Sequence, residues 1–175
     1  MVKIEELLVM NIKRTIFKLY FKVVKAEGTP ESIARGVAVG LATGLIIPIG
    51  LQTVPALALA VILKANKVLT WMFTCVTNPA TVFFIYPIQC WIGSYLIFRP
   101  ISFASLHGEF QGLTQAETVA EAFAVFGTLS WSIIVPFFAG GILFAVLTSI
   151  PGYWVSLHLA QKYQARKKKK IDSAN

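Results

Sequence analysis

Residues 33–98 read IARGVAVGLATGLIIPIGLQTVPALALAVILKANKVLTWMFTCVTNPATVFFIYPIQCWIGSYLIF. The stretch holds no Asp, Glu or His, and its charges are Arg35, Lys64 and Lys67. Two apolar runs flank the Lys64–Lys67 punctuation. The first is interrupted by Pro48-Ile49-Gly50-Leu51-Gln52-Thr53 and then Pro55, the second by Thr77-Asn78-Pro79-Ala80-Thr81. Hydrocarbon tolerates irregular backbone only where protein buries it or where it lines a watery cavity. Two broken apolar helices in a short chain therefore predict a membrane-embedded packing or binding centre. The fold class expected is all-α, a polytopic membrane protein with re-entrant or broken helices.

Composition supports that expectation. Of the 175 residues only 14% are charged, against about 25% in soluble domains, too little charge to cover a water-facing surface. The net charge of +8 is unevenly placed. Residues 1–35 hold seven Lys/Arg against four Glu, residues 162–170 hold six Lys/Arg and no acid, and residues 100–121 hold Glu109, Glu117 and Glu121 with no Lys or Arg. Basic segments beside spans stay cytoplasmic, which puts both termini and the Lys64–Lys67 turn inside and 100–121 outside. Nucleic-acid binding is disfavoured, because the basic residues sit beside apolar spans. Cys75 and Cys90 lie in apolar sequence without a CxxC or His partner, and His107 with Glu109 is a weak metal pattern. No metal or cofactor is expected.

Outward from the central stretch, residues 1–27 form a basic amphipathic segment. Ile4, Leu8, Ile12, Ile16, Leu19, Tyr20 and Val23 recur at helical spacing, with Lys18 and Lys25 on the opposing arc and Lys22 at its border. Such a helix lies in the membrane interface with lysines toward anionic headgroups, or packs on the protein's own cytoplasmic side. Gly28 suits the end of that helix, and Thr29-Pro30-Glu31 suits the start of the next. Gly36, Gly40 and Gly44 form a GxxxGxxxG face that admits another backbone. Residues 33–63 are too short for two spans of about 20 residues each and positive at both ends. They predict a re-entrant hairpin: 33–47 in, Pro48–Gln52 turning, 53–63 back, with Asn66 ending the return helix in a left-handed conformation. Gln52 and Thr53 then lie at depth, near carbonyls freed by Pro48 and Pro55.

Residues 68–98 predict a half-helix over 68–77, a break capped by Asn78 with Pro79 in the first turn, and a span over 79–98. Residues 100–117 form the outer loop, with Thr114–Glu117 a capping box. Residues 119–159 predict an outer half-helix at 119–134 and a span over 137–158, kinked at Pro151-Gly152. The membrane domain covers 28–160. The tail 161–175 is basic, with Arg166, Lys167, Lys168, Lys169 and Lys170 anchoring to headgroups. A re-entrant element plus span in one half, and a half-helix plus span in the other, is the layout of inverted repeats with midplane transport sites, though no residue-level similarity links the halves.

Gly36-x-x-x-Gly40, then Pro48-x-Gly50-Leu51-Gln52-Thr53, Asn66, Asn78-Pro79-x-Thr81 and Gly93 together resemble the domain of unknown function 2062 family, with the motifs in order over residues 28–100. The resemblance implies a small multi-pass protein of the bacterial inner membrane with no established activity. Some relatives carry a fused sugar-transferase domain, which this chain lacks.

Catalysis is not expected, since the central stretch offers no acid or base. The leading expectation is handling of a lipid, a lipid-linked molecule or a small polar solute at a midplane site. Its candidate ligand-binding residues are Pro48, Gly50, Gln52, Thr53, Asn78, Pro79 and Thr81, with Arg35 and Arg99 holding a phosphate at either surface. The alternative is a scaffold or accessory subunit packing against a membrane partner protein or a second copy. Transport places Gln52 and Asn78 on one polar cavity; a scaffold has them satisfy backbone in a dry interior.

Overall fold

The computed structural model describes residues 21–23, 25–103, 106, 121, 124 and 131–173. Among these, every regular element is a helix: α1 Pro30–Ile46, α2 Thr53–Ile62, α3 Lys67–Thr74, α4 Pro79–Leu96 and α5 Trp131–Asp172. Most of the amphipathic segment at 1–27, of the outer loop at 100–117 and of the half-helix expected at 119–134 lies outside the described residues; the described end of the last, 131–134, is continuous with α5.

Local chemistry sets the helix ends. The Thr29 hydroxyl accepts from Ser32 N–H at 3.2 Å, and Pro30 occupies the first turn of α1. That helix stops because Ile47 precedes a proline and is held extended, at φ −97° and ψ 132°. Asn66 Oδ1 accepts from Leu69 N–H at 2.9 Å and caps α3, so it starts a helix instead of ending one. The left-handed residue behind α2 is Lys64, at φ 51°. It carries the paired bonds Ala65 N–H to Ala60 O and Lys64 N–H to Val61 O that close a helix at a left-handed residue. Phe98, at φ 57°, closes α4 the same way through Arg99 N–H to Ser94 O. The span expected to reach residue 98 therefore ends at Leu96.

Residues 30–62 form a helical hairpin: α1 leads into the turn at 47–52, and α2 returns. Then α3 runs parallel to α1, because Gly36, Gly40 and Gly44 face Asn66, Thr70 and Thr74 in the same order. The axis bends by 71° between α3 and α4. The fifth helix is the spine. Its later part lies antiparallel along α1, with Gly141 against Leu45, Gly152 against Val37 and Gln164 Nε2 donating to Gly28 O. Its first turns lie antiparallel along α4, where Gly93 meets Pro136 and Gln89 meets Gly140. No break occurs at Pro136 or Pro151; α5 continues for 42 residues, through the position where the basic tail was expected to begin. Proline is tolerated inside such helices when neighbours resatisfy the freed carbonyl.

The interior mixes apolar and polar side chains, and large apolar side chains also stand on the surface. Buried side chains include Thr43, Gln52, Thr70, Thr74, Thr77, Gln89, Ser94 and Ser156, while Val54, Ile62, Val68, Phe84, Trp131 and Trp154 are each more than 60% exposed. Among the described residues one helix, across Trp131–Lys167, is long and apolar enough to cross a membrane by itself, with 33% of its most apolar window buried. The core helix of a soluble protein would be mostly covered. The bent pair α3–α4 passes the same test when taken together.

Candidate functional site

The two helix breaks meet. Gln52 flanks the start of α2, yet its side chain makes no cap there. It reaches across to the other break, where Nε2 donates to Thr74 O at 3.1 Å and to Thr77 O at 3.2 Å. Those carbonyls sit where α3 has ended and lack a helical partner. The Thr77 hydroxyl lies 2.7 Å from Gly44 O and 2.8 Å from Gln52 Oε1, sharing one proton between two acceptors. Tyr86 completes the cluster from α4: its oxygen accepts from Ile49 N–H at 2.6 Å and bonds to the Thr77 hydroxyl. Thr43 and Thr74 add a contact of 3.3 Å between hydroxyls on facing helices. Gln52, Thr77 and Tyr86 are each at most 5% exposed. The result is a closed polar knot in which side chains of one break satisfy the backbone of the other.

Asn78 serves its own break. Its Oδ1 accepts from Ala80 and Thr81 N–H, its Nδ2 donates to Cys75 O at 3.3 Å, and the Thr81 hydroxyl accepts from Asn78 N–H at 2.9 Å. That is a capping box with Pro79 in the first turn, and its partners lie within the same short segment. Pro48 is buried at the turn and Gly50 takes φ 90°, a conformation a side chain would strain. Thr53 opens α2.

The model of the family described as "Uncharacterized protein conserved in bacteria (DUF2062)" matches residues 13–169, nearly the whole chain. The chain belongs to that family. No curated protein and no solved structure matches it. In this DUF2062 chain the Gly50-Leu51-Gln52-Thr53 and Asn78-Pro79 motifs thus correspond to the two interlocked breaks.

The arginines lie apart from the knot and from each other. Arg35 Nη2 donates to Lys64 O at 3.2 Å, clamping the carbonyl end of α2 where a cation is favoured; its buried Nε has no partner. Arg99 is exposed at the far end of the bundle, on a cleft of about 550 Å³ with Ile97, Trp131 and Val135. Lys22, Lys25, Arg166, Lys167 and Lys169 cluster toward the opposite end, and Lys25 lies over the Phe21 ring at 4.9 Å. Lys18 and the side chains of Lys168 and Lys170 lie outside the described residues. Among the described residues no group of three His, Cys, Asp or Glu is placed to hold a metal ion.

A second polar contact was not foreseen from sequence. Gln89, fully buried in α4, donates through Nε2 to Phe137 O at 3.0 Å, and its Oε1 has no partner. Thr77 and Tyr86 were also missed. Thr77 stands beside Asn78 and could have been read as a break residue, but nothing in the spacing separates Tyr86 from other apolar-run aromatics.

Proposed function

We propose that this protein is a multi-pass protein of the bacterial inner membrane, with both termini cytoplasmic, that acts without a chemical step as a scaffold or accessory subunit for a membrane partner or a second copy. One observation carries the choice: Gln52 and Asn78 direct their side-chain hydrogen bonds to the chain itself, Gln52 within the buried knot and Asn78 within its own helix cap. Hydroxyls and amides used in this way fix the geometry of the two breaks. The apolar exterior supports membrane integration, since patches of this extent are rare on soluble monomers. The glycine face is occupied by α3, so a partner would meet the outer faces of α2, α4 and α5.

Thiol accessibility tests this reading. With Cys75 and Cys90 replaced by Ser, single cysteines at Thr53 and Val76, both half-buried beside the knot, should resist a water-soluble maleimide in intact vesicles. Rapid labelling at both would mean a hydrated cavity at the breaks and would overturn the packed centre. Lipid or solute handling is the second reading. Its support is a cleft with a cationic side chain at each end of the bundle, Arg99 at one and Lys67 at the other; labelling at both cysteines is the result it requires.

A further inference from the structure

We propose that the cleft between residues 22–27 and the first two turns of α3 is a binding site for a single anionic glycerophospholipid, its phosphodiester held between Lys22 and Lys67. The proposal rests on the membrane reading above.

Two walls are fixed relative to each other. Asn66 Nδ2 donates to Glu27 O at 2.7 Å, and Asn66 N–H donates to Ser32 O at 2.9 Å. Val23 and Ala26 pack with Ile33, Val37, Leu69 and Ala160. Residues 25–27 are thereby pinned beside the start of α3, and the space left between Lys22, Ala26 and Glu27 and that helix is about 590 Å³. That falls within the range of small-molecule sites, about 300–1,000 Å³. The chemistry of the lining is graded. Ala26, Leu69 and Met72 make an apolar floor, and Lys22, Glu27 and Lys67 stand at the rim. Val68, 72% exposed, and Trp71, 53% exposed, carry the apolar surface outward from the mouth.

Charge selects the occupant. Neither rim lysine pairs with a described acid, and α3 adds its positive end, Lys67 being its first residue. Two lysines against Glu27 leave one net positive charge, matched to the single charge of a phosphodiester. A phosphate monoester would bring a second negative charge beside Glu27. Acyl chains leaving over Val68 and Trp71 would enter the bilayer, with the Trp71 indole at the headgroup level where tryptophan is favoured.

The test uses the full chain purified in mild detergent and supplied with equal phosphatidylglycerol and phosphatidylcholine, read by native mass spectrometry. The wild type should retain one phosphatidylglycerol with at least tenfold preference. Lys22→Gln with Lys67→Gln should reduce the preference to within twofold, while Lys64→Gln with Lys162→Gln, removing equal charge outside the cleft, should keep it. Val68→Glu, at an exposed rim position that leaves the core untouched, should also lose the lipid, so misfolding of the double variant would not decide the matter. Equal retention of phosphatidylcholine by the wild type, unchanged preference in the cleft variants, or equal loss in the control pair would each overturn the site. A co-purifying peptide that displaces lipid would assign the cleft to a protein segment and also overturn it. Carbonate extraction of wild-type membranes is read alongside. Release of the chain would refute membrane integration itself, whereas a retained chain without lipid preference would refute only the cleft.

Discussion

The α1–α3 seam and the α4–α5 seam are both built on glycine, and they differ in how tightly and how redundantly. Along α1–α3, three glycines at four-residue spacing meet the backbone of α3 in steps, with Cβ positions 2.5–2.7 Å from the oxygens of Asn66, Thr70 and Thr74. The load is shared over three turns. Along α4–α5 each helix contributes one glycine, Gly93 under Pro136 O and Gly140 under Gln89 O, and there a Cβ would overlap the facing carbonyl outright. Every one of these contacts is with backbone, so a Cβ at any of them forces a helix to shift; the shift required is smaller along the ladder than at the reciprocal pair.

The largest expected effect breaks this comparison directly. Gly93→Ala should destabilise by about 3 kcal/mol, the upper end for overpacking, whereas Gly36→Ala should lose about 1 kcal/mol; thermal unfolding in one detergent orders them. A larger loss for Gly36→Ala would make the ladder the critical seam. The two buried glutamines sharpen the contrast. Gln52→Leu orphans the Thr74 and Thr77 carbonyls and should cost about 2 kcal/mol, from about 1–3 per buried group left unpaired. Gln89→Met removes one bond but also an unpartnered oxygen, so it should stay within about 1 kcal/mol of wild type; urea titration of both variants checks the difference. Asn78→Ala removes a helix cap and should cost about 1 kcal/mol, with Asn78→Asp largely retaining it. Smallest is a gain: Lys64→Gly relieves a left-handed residue and should stabilise by about 0.5 kcal/mol, seen as a modest rise in Tm.

What the sequence discloses about this molecule follows from what each signal depends on. Proline and asparagine act on their own backbone, so the breaks at Pro48 and Asn78-Pro79, and the helices they delimit, can be read directly. The glycine face is readable because its spacing repeats on one helix. Gly93 and Gly140 lie on helices far apart in the chain, and their meeting depends on tertiary contact. Gln52 could be singled out as polar in an apolar run, but its partners sit 22 and 25 residues away on carbonyls whose availability depends on where α3 stops. Asn66 misled for a local reason: asparagine suits both a left-handed end and a cap, and the Lys64 backbone took the first role. Pro136 suggested a stop, yet α5 runs through it with its carbonyl packed against Gly93 of α4.

The unbroken course of α5 bears on how the basic tail meets its surroundings. Thirteen residues of helix follow Leu159, a reach of about 20 Å at 1.5 Å per residue, while charge is screened over about 8 Å at physiological salt. A flexible tail would drape all its cations on the headgroups. In the membrane placement proposed above, a helical one would behave as a lever: upright, it would lift Lys167 and Lys169 beyond electrostatic range of the bilayer, and inclined, it would lower them into it. Tilt of the spine and ionic strength at that face would then be two handles on the same charge.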